Sequence, residues 1–180
     1  MEVYASEEED AELVGKLNTI SYEASYQKLV LIALDGAIEQ PELRTIGASV
    51  QRIYQQAGVS FTLETQSFAT GWGDRDVPLE DESSGLLSNY PEQLRQVIRD
   101  YRREHPEENS TAYVFLAGKS STGKLGYMPK KRNYGFVYVQ HQTNSVIART
   151  IAHELGHGLY RLRHPFEEYP SLTRGNTDND

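Results

Sequence analysis

The sequence predicts an α+β domain, a mixed twisted β-sheet packed with helices. Strand-like and helix-like stretches follow one another in the order β-α-β-α-β-β-α, which requires a sheet with helices laid on it. The apolar residues repeat with a period of two in Val59 to Phe68 and Tyr134 to Gln140 and of about 3.6 in the helices. Tyr26 to Leu34 and Thr111 to Ala117 instead contain continuous apolar runs. With 180 residues, the chain is long enough to bury a core as a single domain.

Tyr26 to Leu34 is β-branched and aliphatic and stops at Asp35-Gly36, a turn signal, so it reads as a buried strand. Pro41 to Ala57 opens with proline in a first helical turn and closes before Gly58. Leu43, Ile46, Val50, Ile53 and Tyr54 recur along it at helical spacing, the mark of an amphipathic helix. Val59 to Phe68 alternates Val59, Phe61 and Leu63 with polar neighbours, a half-exposed strand. Gly71 to Ser88 is loop-like. Tyr90 to Arg103 is a second helix with Leu94, Val97, Ile98 and Tyr101 inward. Thr111 to Ala117 is a short apolar run suited to a central strand. Lys119 to Asn133 reads as a loop, Tyr134 to Gln140 as another strand. A last helix, capped by Asn144, runs to about Leu162.

Hydrophobic residues at 38% and charged residues at 24% describe an ordinary folded chain. The longest apolar run, Leu29 to Leu34, falls far short of the roughly 18 residues of a membrane span. The net charge is −8, but Glu2, Glu7, Glu8, Glu9, Asp10 and Glu12 carry most of it. We therefore divide the chain into an acidic flexible segment, 1–20, and a single domain, 21–180. The near-neutral remainder argues against a nucleic-acid partner. Cysteine is absent, which excludes disulfides, thiolate metal ligands and cysteine catalysis. The N-terminus lacks the basic and apolar regions of a signal peptide.

The chemistry is concentrated in His153-Glu154-Leu155-Gly156-His157. Histidines four residues apart on a helix share one face, so both rings can reach one ion. The adjacent Glu154 lies beside such an ion, where it can hold and deprotonate water. On the helical wheel Ile147, Ile151, Leu155 and Leu162 form the side that packs on the sheet, and His153 and His157 face away. Catalytic zinc needs about three protein ligands and one open position. His164 is the third candidate. On a continued helix it would sit about 10 Å beyond His157, too far for bonds of about 2 Å. It ligates only if the chain turns back between Gly158 and Arg163. Pro165 disfavours helix before it, and Gly158 suits a left-handed helix end. Glu167, Glu168 and Asp178 are the alternatives.

The His153-Glu154-Leu155-Gly156-His157 motif followed by His164 resembles the metzincin clan of zinc peptidases. The resemblance covers about residues 26–166 and implies a zincin-like catalytic domain with Zn2+ on His153, His157 and His164. It further implies a zinc-bound water activated by Glu154 and a protein or peptide substrate. That substrate would lie antiparallel along an edge strand, for which Tyr134, Gly135, Phe136, Val137 and Tyr138 are the candidates. Tyr160 or Tyr169 is a candidate hydrogen-bond donor to the oxyanion. The chain departs from the clan in three respects. Tyr160 and Arg163 stand where it has glycine and the third histidine, His164 comes one residue late, and the only methionines, Met1 and Met128, precede the motif.

These features predict a secreted or exported monomeric zinc endopeptidase. The alternative is a zinc-binding but inactive interaction module, or a peptidase truncated before a methionine turn. The stretch Gly118-Lys119-Ser120-Ser121-Thr122-Gly123-Lys124 approximates a phosphate-binding loop, but Leu125 replaces the magnesium-binding hydroxyl residue and Pro129 argues against the helix that should follow. The surrounding basic loop, Lys119 to Arg132, would favour acidic substrate residues. His105 and His141 lack partners at ligand spacing and read as surface residues. Asn109-Ser110-Thr111 fits a glycosylation acceptor, and Trp72 is a loop aromatic.

Overall fold

The computed structural model describes residues 2–4, 13–16, 24–71, 78–79 and 90–164. Trp72, Tyr169, Glu167, Glu168 and Asp178 lie outside them, as does most of the acidic segment. Within that segment β1 (Glu2–Tyr4) pairs antiparallel with β2 (Leu13–Lys16).

The main sheet is assembled from β3 (Ser25–Leu34), β4 (Val59–Phe68), β5 (Thr111–Ala117), β6 (Gly126–Tyr127) and β7 (Tyr134–Tyr138), in the order β4-β3-β5-β7-β6. All neighbours are parallel except β6, which runs antiparallel to β7. This is the expected mixed sheet packed with helices. The helices are α1 (Gln40–Gln55), α2 (Glu92–Glu104) and α3 (Asn144–Gly158).

The strand sequences dictate a sheet covered on both faces. Alternate residues of a strand point to opposite sides. In β3 both sets are apolar: Leu29, Leu31 and Ala33 pack with α1 and α3, while Val30, Ile32 and Leu34 pack with α2. In β5, Ala112, Val114 and Leu116 join the first core and Tyr113, Phe115 and Ala117 the second. The chain steps one way from β3 through α1 to β4, then back past β3 through α2 to β5. Right-handed crossovers in opposite directions put α1 and α2 on opposite faces. At the edge, Lys28 of β3 pairs with Glu64 of β4 at 2.7 Å and with Glu108 at 2.9 Å.

Four sequence expectations are corrected. Tyr134, Gly135, Phe136, Val137 and Tyr138 are not the outermost strand, because β6 pairs outside Phe136 and Val137, and all five are buried. Strand β6 occupies part of what reads as a loop. Its two residues carry no periodicity; pairing with Phe136 and Val137 creates it. Helix α3 begins after Thr143, not with Asn144 as cap: the Val146 N–H donates to the Thr143 hydroxyl at 3.4 Å. It ends at Gly158, and Leu162, outside the helix, is 59% exposed.

Candidate metal centre

Helix α3 is fixed to the domain by its apolar stripe. Ile147, Ala148, Ile151 and Leu155 are buried against the β3, β5 and β7 side chains and α1. The Tyr54 hydroxyl of α1 adds a hydrogen bond to the Ala152 carbonyl at 2.8 Å, immediately before the first histidine. Burial pushes the Tyr54 phenol up, so it stays a neutral donor. The stripe leaves His153 and His157 half-buried on another side of the helix.

The turn that brings in the third imidazole is formed without a left-handed glycine at Gly158. The left-handed residue is Arg161, with φ of 60°. After it the Leu162 N–H donates back to the Gly156 carbonyl at 3.0 Å. The chain thus reverses between Gly158 and Arg163, as the ligand argument requires. The Lys131 N–H closes the helix end by donating to the Gly158 carbonyl at 3.0 Å.

His153, His157 and His164 then converge, with one ring nitrogen of each within 4.8 Å of the others. The His164 ring centroid lies 5.1 Å from that of His153 and 4.7 Å from that of His157. The Nε2 atoms of His153 and His157 are 3.0 Å apart. Two nitrogens bound to one tetrahedral zinc at about 2.05 Å would be separated by about 3.3 Å, so the spacing fits such an ion. The His157 Nδ1 is 2.7 Å from the Leu162 carbonyl. A carbonyl can only accept, so Nδ1 carries the proton and Nε2 presents its lone pair to the other rings. Such a bond sets the tautomer and orientation of a metal-binding imidazole.

Glu154 stands beside this group, on the same helix and 8% exposed. Strand β6 crosses α3 at this residue. A Cβ on Gly126 would lie 2.8 Å from the Glu154 Oε1 and 2.9 Å from the Thr150 Cγ2, so only glycine fits there without displacing them. The Tyr127 phenol is pushed up, first by burial and then by the negative charge of Glu154.

Met128 is the other contributor that sequence reasoning missed. Its side chain fills the space over Gly158, where a Cβ would come within 2.5 Å of Sδ and 2.7 Å of Cγ. Nothing local marks Met128 or Gly126; their partners are distant in sequence and become visible only in the fold. Gly158→Ala is expected to cost about 1–3 kcal/mol through overpacking. The loss should shrink in the Gly158→Ala/Met128→Ala pair relative to Met128→Ala alone, as read by urea denaturation. A fully additive pair would remove this account of the glycine.

The remaining sequence candidates are placed as follows. Tyr160 packs on Tyr54 with ring centroids 5.6 Å apart, a core-side contact. His105 stacks on Tyr101 at 4.5 Å, and His141 is exposed; neither joins the three histidines. The Gly118–Lys124 stretch leads into β6 and not into a helix. No helix of the described residues is long and apolar enough to cross a membrane.

No protein-family model matches the chain, and no curated protein matches it. Among solved structures it is similar to metalloproteinase-II from Bacteroides fragilis, with a TM-score of 0.48, 16% identity, 76% of this chain covered and 44% of that one. This chain thus spans less than half of that protein. It is also similar to archaemetzincin from Methanopyrus kandleri, with a TM-score of 0.45, 16% identity, 78% of this chain covered and 74% of that one. At such values neither likeness bears on the site, whose chemistry rests on its own geometry.

Proposed function

We propose that this chain is a zinc-dependent endopeptidase with His153, His157 and His164 as metal ligands and Glu154 as general base. One observation carries the reading: the chain reverses after α3 so that three imidazoles meet, with a buried carboxylate beside them and not among them. Zinc supplies Lewis acidity there, polarising a carbonyl and acidifying water. Glu154 takes the proton of the attacking water and passes it to the leaving amine. Three histidine ligands would leave a bound ion an open position, the mark of a catalytic rather than a structural site. Because β7 is covered, the strand edge offered to an extended substrate is that of β6, next to Glu154. Backbone pairing along it would hold a peptide across the carboxylate. A secreted or exported location is part of the proposal.

The test is zinc content by mass spectrometry beside cleavage of unfolded casein, before and after chelation. The expected result is one zinc per chain, with cleavage that vanishes on chelation and returns with zinc. A chain that binds no zinc overturns the reading. One zinc with no cleavage of casein or of a broad peptide library instead establishes the zinc-binding, non-catalytic module.

A further inference from the structure

On the opposite side of the sheet from α3, a cleft of about 450 Å³ opens between α2 and the residues leading into β7. Arg95, Arg99, Arg102 and Arg132 line it, and Glu107 is the only acid among the described residues that does. In a chain of net charge −8, four guanidinium groups against Glu107 and the neighbouring Glu92 form a local reversal of sign. The first three stand at i, i+4 and i+7 of α2, and so share one helical face. Arg132 approaches from the loop before β7 and pairs with no acid among the described residues.

Among the described residues, two carboxylates serve three of the four arginines, so the pairing leaves positive charge in excess. Glu92 bonds Arg95 and also Arg99, the latter at 2.9 Å, and Glu107 bonds Arg102 at 2.9 Å. Each of these pairings uses Nη2, whereas a guanidinium has five N–H donors. The wall also holds Tyr134, whose buried hydroxyl has no hydrogen-bond partner among the described residues.

We propose that this cleft is a binding site for an acidic peptide segment in extended conformation. Arg95 to Arg102 covers about 10 Å along the helix axis. Three alternate side chains of an extended chain span about 13 Å, a difference that long arginine arms absorb. The cleft and the histidine cluster are on different faces, so the inference stands independently of the zinc reading.

The experiment is fluorescence anisotropy of the full chain with a labelled peptide of alternating Glu and Ser, against the matching Lys-Ser peptide and heparin. The acidic peptide is expected to bind at low ionic strength and weaken as salt rises. Arg132→Glu should weaken it by at least about tenfold. Arg103→Glu makes the same charge change on α2 outside the cleft, where Arg103 pairs with Asp100 at 3.2 Å, and should leave binding within about twofold. Equal losses in the two variants would reduce the effect to net charge and overturn the site. So would no loss in Arg132→Glu, equal binding of the Lys-Ser peptide, or binding of heparin alone.

Discussion

Glu154→Gln is expected to retain one zinc per chain and cleave casein about 10²- to 10⁴-fold more slowly than the unaltered protein, the range general-base catalysis supplies. The substitution keeps the side-chain volume, which matters because Glu154 is only 8% exposed and packed close to Gly126. An amide cannot take the proton of water, yet it fills the same space, so folding and metal uptake should persist. The measurement pairs zinc stoichiometry with initial rates on a quenched peptide. A variant with wild-type rates would show that the base is another group. A variant that lost its zinc would show that the carboxylate serves the ion and not the water.

His157→Ala should have the opposite signature, losing the metal and all cleavage together. Its imidazole is held from both sides, with Nδ1 bonded to Leu162 and Nε2 3.0 Å from the His153 Nε2. Loss of a partner that merely orients a ligand costs about 10- to 100-fold in affinity. Removal of the ligand itself is expected to exceed that range in a competition titration with a zinc-chelating dye. The Leu162 carbonyl also loses its donor, so the turn through Arg161 should loosen. Unaltered zinc affinity would exclude His157 from the ligand set.

The elements that could be read from the sequence are those whose boundaries have local causes. β4 and β5 match their expected limits because an apolar pattern runs up to a turn. In β3 the same cause operates, Asp35-Gly36 stopping the strand at Leu34. The histidine pair was legible because helical spacing alone brings two rings together. The reversal that brings in His164 was legible as a requirement, but its hinge was not: Gly158 was the expected left-handed residue, and Arg161 takes that conformation. Packing explains the difference, since Gly158 is needed as glycine to admit Met128. The misplaced edge strand has a similar origin. β6 has two residues and exists by pairing with β7 and crossing α3, contacts that no window of sequence contains. The cleft on α2 was invisible for the same reason, because Arg132 joins the α2 arginines only after the chain has crossed the sheet.

All three converging imidazoles come from the single stretch His153 to His164. Closing short loops costs little chain entropy, so capture of an ion needs only the end of one helix and the turn after it. The large hydrophobic cores on both faces of the sheet are formed without any of these side chains. Chelation should therefore release the turn while the sheet and its helices persist. If the chain holds zinc as proposed, metal exchange would then be a local event at one helix end, reversible without refolding.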